Sequence, residues 1–216
     1  PRTVMQHLAT DDPHTEAAHA FFVEKITPRI KPWTDKLGGL YLDNPAREQL
    51  DPRRMRVHDR ILENQRRLFR AESVPLQALE EKKGMEYEKL CGAMTVIWRG
   101  EERTLYKMNA LQQEQDRAVR EQAWRLVAAR RLQDRETINA IYAEMVRLHT
   151  QMARQAGFKN YRDFKHLELN RFDYTPQDAL AFDDAIAREV VPLASKIRRQ
   201  RREALKLERL RPWDLD

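Results

Sequence analysis

A zinc ion that activates water needs ligands converging from one face of a helix. The HExxH pattern provides them: two histidines four residues apart, with a glutamate beside the first to take the proton. The 216-residue chain has six histidines and one cysteine, and no HExxH. The nearest approach is His14-Thr15-Glu16-Ala17-Ala18-His19. At 3.6 residues per turn its two imidazoles diverge by about 140°, so a regular helix cannot aim both at one ion. That stretch reads as a polar helix start. His149 follows Leu148 on the flank of an apolar stripe. It reads as a hydrogen-bonded, partly buried residue, because acid–base work needs a second positioned group that the sequence does not name. His166 and Glu168 are two apart and do not face each other on a helix. Cys91 has no evident activating partner and reads as a small buried thiol. There is no Gly-rich phosphate loop. Acid pairs such as Asp183-Asp184 and Glu101-Glu102 read as solvated faces. Residue type and spacing therefore assign no catalytic and no metal residue, and leave substrate-binding residues unknown.

The elements that would position any site are helical. From Asp134 to Ala156, Ile138, Ile141, Met145, Leu148 and Met152 recur at steps of three and four and form one apolar stripe. Gly157 then offers a left-handed C-terminal cap, and Asn160 with Asp163 starts the next helix. Thr175-Pro176 opens the last helix. Phe182, Ile186, Val190, Leu193, Ile197 and Ala204 mark its seam, with Pro192 expected to kink it. Asp116 is expected to cap a helix with Val119, Ala123 and Val127 inward. Thr15 to Leu37 is helical in pattern, bent or interrupted at Pro28 and Pro32 and ended by Gly38-Gly39. Asp51-Pro52 starts another helix through Phe69. One segment breaks the pattern. Met94 to Trp98 is β-branched and apolar, 99–102 can turn, and Arg103 to Tyr106 can return as a second strand. The predicted fold class is all-α, of long antiparallel helices, with one small hairpin near 94–106. The expected subdivision is 1–92 helical, 93–107 hairpin and 108–216 helical.

Composition limits the partners. Charged residues make up 34%, above the roughly 25% of an ordinary domain. Leu, Ile, Val and Phe number only 48, so the core is thin. The net charge of +6 comes from 40 basic and 34 acidic residues, mostly interspersed by sign. One denser run comprises Arg198, Arg199, Arg201, Arg202, Lys206, Arg209 and Arg211. A single cysteine allows no internal disulfide, which suits a reducing cytoplasm. No stretch approaches the roughly 20 apolar residues that span a bilayer, and no signal-peptide pattern is seen.

Four segments, in order, resemble the oligoendopeptidase F branch of the thimet-oligopeptidase-like zinc metallopeptidases. Ala153-Arg154-Gln155-Ala156-Gly157-Phe158-Lys159-Asn160-Tyr161-Arg162-Asp163 is similar to that family's A-R-x-x-G-F-x-N-Y-x-D. Asp116-Arg117-Ala118-Val119-Arg120 is similar to its D-R-x-V-R helix start. Phe172-Asp173-Tyr174-Thr175-Pro176 leads into a long helix with Val190-Val191-Pro192. Leu210-Arg211-Pro212-Trp213-Asp214-Leu215 resembles the L-x-P-W-D-L that precedes the family's catalytic half. The resemblance implies a two-lobed, mostly helical peptidase in which zinc is held by the HExxH histidines and a later glutamate. Short peptides would be cut in a channel between the lobes. This chain would be the N-terminal lobe, one wall of that channel, and is expected to end before the zinc motif. No catalytic or metal residue carries over, and the chain alone is expected to bind no zinc and to be inactive. Its partners would be short peptides and the missing C-terminal catalytic half, in the cytoplasm. The alternative is a basic helical module binding RNA or an acidic protein through the arginine run. Nucleic acid is disfavoured, because no aromatic residues are interleaved there for bases to stack on. A helical scaffold acting through oligomerisation is a third reading, with the Ile138 to Met152 stripe as its interface.

Overall fold

The computed structural model describes residues 12–215. They divide into two compact units, each built from two stretches of chain.

Among the described residues, the first unit comprises 12–89 and 140–176. Helix α1 (Pro13–Phe21) starts where the Asp12 carboxylate accepts the His14 N–H at 3.0 Å, with Pro13 in the first turn, where its missing donor costs nothing. It passes through a π-helical turn, Phe22–Ile26, into α2 (Thr27–Leu42). Pro28 explains the turn. A proline lacks the N–H and its ring presses on the carbonyl four residues back, here that of Glu24, and the wider π-turn makes room for it. Helix α2 then runs through Pro32 and, against expectation, through Gly38-Gly39 to Leu42. Neither glycine takes the left-handed conformation that stops helices. Gly38 instead faces α3 (Pro52–Leu68), where an added Cβ would lie 3.5 Å from the Leu62 side chain. Tyr41 donates to Asp59 at 2.8 Å across the same pair of helices.

Helix α4 (Val74–Gly92) belongs to this unit as far as Lys89, and α7 (Arg135–Gln155) from Ala140 onward. Of the α7 stripe, Ile141, Leu148 and Met152 are buried. The helix ends as its sequence predicts. Gly157 has φ +85°, Gly157 N–H donates to the Arg154 carbonyl, and Phe158 N–H to the Ala153 carbonyl, both at 2.9 Å. Phe158 then meets Phe164 edge-on at 5.7 Å. Asn160 caps α8 (Tyr161–Glu168) by accepting the Asp163 N–H at 2.9 Å.

The second unit comprises Leu90–Asn139 and Gln177–Asp216. Strand β1 (Thr95–Trp98) pairs antiparallel with β2 (Glu101–Thr104). The turn is shorter than predicted. Arg99 (φ 52°) and Gly100 (φ 86°) form a two-residue connection with both φ positive, so Glu101 already pairs with Trp98. Leu105 and Tyr106, expected in the second strand, open α5 (Leu105–Asn109), because the Thr104 hydroxyl accepts the Lys107 N–H and starts a helix. A two-stranded hairpin is marginal alone. Here Met94, Val96 and Trp98 share a buried cluster with Leu105, Met108 and Ala123. Ala123 lies on α6 (Arg117–Gln133), capped by Asp116. The last long element is α9 (Pro176–Ala185), a π-turn at Ile186–Val190, and α10 (Val191–Ala204). The discontinuity expected at Pro192 is again a π-turn just before the proline. Among the described residues, no helix is long and apolar enough to cross a membrane.

Gly157→Ala isolates the cost of the left-handed cap, since no atom lies within 4 Å of where its Cβ would stand. We expect a loss of about 1–2 kcal/mol, read as a lower urea midpoint with an unchanged m-value.

Candidate functional site

The densest polar constellation of the second unit lies where α6 meets the segment ending in Pro212-Trp213-Asp214. Asp214 is wholly buried. Arg117 grips its carboxylate with two parallel bonds, Nε to Oδ1 at 2.9 Å and Nη2 to Oδ2 at 3.0 Å. Arg120 approaches Oδ1 at 3.4 Å, and the Arg211 backbone N–H donates to Oδ2 at 2.9 Å. Arg120 also donates to the carbonyls of Trp213 at 2.8 Å, Glu114 at 2.8 Å and Gln115 at 3.0 Å. Trp213 packs on Trp124 at 5.4 Å, with the guanidinium groups of Arg117 and Arg125 over its ring. Burial alone would raise the Asp214 carboxyl. The bonds from Arg117, the Arg211 backbone and Arg120 outweigh it and hold the group below the ordinary aspartate value. Arginines stay protonated, so this is a clamp and not an acid–base pair.

The residues singled out in the sequence are scattered. His14 is exposed, but His19, read as part of a polar helix start, is buried. Their five-residue spacing turns His19 toward α4, where Nδ1 lies 3.1 Å from the Met85 sulfur and Nε2 3.9 Å from Glu81. His149 does have a partner, Glu80, at 2.5 Å, and its ring stacks on Tyr161 at 4.1 Å. Glu80 lies 69 residues away in sequence, which is why spacing could not find it. His166 is buried against the Tyr174 carbonyl at 2.8 Å, while Glu168 pairs with Lys165. Cys91 is half-buried against the hairpin core. The arginine run on and after α10 is largely exposed, apart from half-buried Arg201 and Arg202. Among the described residues, no three His, Cys, Asp or Glu side chains converge as a metal would require.

The clamp joins two of the four motif segments, 116–120 and 210–215, and both lie within the stretch 110–216 that matches the model of Peptidase family M3. That stretch is of peptidase family M3, and the chain as a whole is oligoendopeptidase F-like. Its fold agrees. A Bacillus anthracis str. Ames protein assigned as an oligoendopeptidase F superposes with a TM-score of 0.92 at 23% identity, over 99% of this chain and 39% of that one. A second structure assigned as an oligoendopeptidase F gives 0.92 at 25% identity, and PZ peptidase A, solved with an inhibitor, 0.92 at 26%. Each of these two is matched over 99% of this chain and 38% of its own. The chain thus spans about two fifths of the length of the proteins it resembles. No curated protein matches the sequence. The matched fold is all-α with one small hairpin, as the sequence predicts.

Asp214→Asn leaves Arg120 buried without its counter-charge, and we expect a loss of roughly 3 kcal/mol at neutral pH. The folded carboxyl sits below the unfolded value of about 3.9. The clamp's contribution is therefore complete above that pH and is lost as pH falls through the folded value. Urea titrations from neutral to acidic pH should show this acid loss in the native chain, and the Asp214→Asn variant should lack the same increment.

Proposed function

We propose that this chain is the N-terminal lobe of a zinc metalloendopeptidase that hydrolyses short peptides, and that it forms one wall of the substrate channel. The observation that carries this reading is the superposition. Nearly the whole chain matches oligoendopeptidase F folds, yet it accounts for only 38–39% of them. The described residues do not fit a zinc site, since no three candidate ligands converge. The metal, the general base and the attacking water then belong to the rest of the parent protein, and no step of the hydrolysis is assigned to residues of this chain. Its own contribution is shape, admitting extended peptides and refusing folded ones. The free thiol of Cys91 suits a reducing cytoplasm.

Two bare apolar stripes support the reading. On α2, Ile30, Trp33, Leu37 and Leu40 are all at least half exposed. On the last long element the predicted seam is equally bare, with Leu193 at 56% and Ile197 at 55%. Contiguous apolar surface of this kind marks contact with a further partner, here the remainder of the parent chain.

The 216-residue chain should show no zinc-dependent cleavage of a quenched fluorescent peptide. The parent-length protein should cleave it, lose activity to a chelator and regain it with zinc. Metal-dependent turnover by the chain alone would refute the reading. The double change Leu193→Lys with Ile197→Lys should alter the stability of this chain by no more than about 0.5 kcal/mol. In the parent protein the same change should lower the melting temperature clearly; equal effects in both would remove the seam from the argument.

A further inference from the structure

Within the first unit, α2, α3, α4 and α8 line an open cleft of about 330 Å³. Small-molecule sites span about 300–1,000 Å³, so this one suits a small ligand. Its apolar wall is Leu62, Leu68, Phe69 and Phe164. Its charged lining is Arg66 of α3, Glu168 of α8 and two opposite charges of α2, Lys31 and Asp35. The two on α2 are four residues apart, hence on one face of the helix and about 6 Å apart along its axis.

Lys31 is half-buried, and its ammonium donates to the Gln77 side-chain oxygen. Three carboxylates favour its charge from nearby, but each is engaged elsewhere: Glu168 with Lys165, Glu80 with His149, and Glu81 facing His19. Burial is the largest influence on Lys31 and pulls it below the ordinary lysine value. A desolvated ammonium with two further N–H groups gains from an incoming carboxylate. At the other end, Arg66 donates to Asp43 through Nη1 at 2.7 Å, and its charge also acts on Asp35. The Asp35 carboxylate accepts no hydrogen bond among the described residues, so its oxygens can take those of an ammonium. The two charges of a free amino acid sit on one carbon. One more residue adds about 3.5 Å to their separation, which brings it closer to the one-turn spacing of Lys31 and Asp35.

We propose that this cleft binds a small zwitterion with an apolar side chain, of the class of a free-ended dipeptide, its carboxylate on Lys31 and its ammonium on Asp35. The apolar side chain lies among Leu62, Leu68, Phe69 and Phe164. The assignment stands on the first unit alone and does not depend on where peptide hydrolysis takes place.

The probe is leucyl-leucine, followed by saturation-transfer NMR on the 216-residue chain and compared with its N-acetylated and C-amidated forms. The free dipeptide should bind in the millimolar range or tighter, and each blocked form at least about tenfold more weakly. Lys31→Met and Asp35→Asn should each weaken the free dipeptide by a similar factor, with circular dichroism confirming the fold. Asp35→Asn swaps near-isosteric groups on a half-exposed face and decides the matter even if Lys31→Met does not fold. The proposal is overturned if the free dipeptide shows no transfer. It is equally overturned if either blocked form binds as well, or if Asp35→Asn binds like the native chain.

Discussion

A buried carboxylate must be neutralised where it sits, and that constraint organises the second unit. Asp214 has no access to solvent, so its charge is carried by Arg117, Arg120 and one backbone N–H. The planar guanidinium matters. Arg117 meets both oxygens at once, and Arg120 divides its donors between the carboxylate and three carbonyls. A lysine ammonium has no such fork. An interior ion pair of this kind is weak evidence of net stability, because desolvation consumes most of the Coulomb gain. Its effect is geometric. It fixes how the Pro212–Asp214 turn lies on α6 and brings Trp213 onto Trp124. The register of that chain segment is set by charge, where the apolar contacts alone would tolerate sliding.

Much of the fold was legible because its signals are local. The Gly157–Asn160 break, the Asp116 cap and the hairpin each rest on residues within a few positions of one another. Boundaries failed where a local signal met a neighbour the sequence does not show. Gly38-Gly39 reads as a stop, but Gly38 packs toward Leu62 of α3 and the helix continues through both. Leu105 and Tyr106 looked like strand, but Thr104 offered a cap first. Pro28 and Pro192 are irregularities as their type predicts, whereas the helix runs on through Pro32. That the first two are each absorbed by a π-turn is a backbone detail no hydrophobic period encodes.

The sites were less legible, for a different reason. The clamp residues were each visible as parts of motifs, but nothing in the sequence says that Arg117 meets Asp214 across 97 positions. His149 is hydrogen-bonded and partly buried, as its place beside the stripe predicts, but its partner Glu80 comes from another helix and is invisible in the local sequence. Lys31 and Asp35 sit on one face of α2, yet their significance depends on Leu62, Phe69 and Phe164 arriving from α3, the segment after it and α8. Chemistry assembled from several helices leaves only single, unremarked residues in each.

The order of the chain has a kinetic consequence. Each unit is made of two stretches with part of the other between them, so neither is complete when the ribosome has delivered a contiguous block. Arg117 and Arg120 emerge nearly a hundred residues before the carboxylate that neutralises them. Closing a loop of that length is slow relative to local helix formation, although its entropic cost grows only logarithmically. During synthesis α6 must wait as an amphipathic helix with its hairpin, its guanidinium groups hydrated. The native arrangement locks only once the Trp-Asp pair arrives. A nascent chain paused before that pair would present Trp124 and two unmatched arginines, a surface suited to capture by a chaperone.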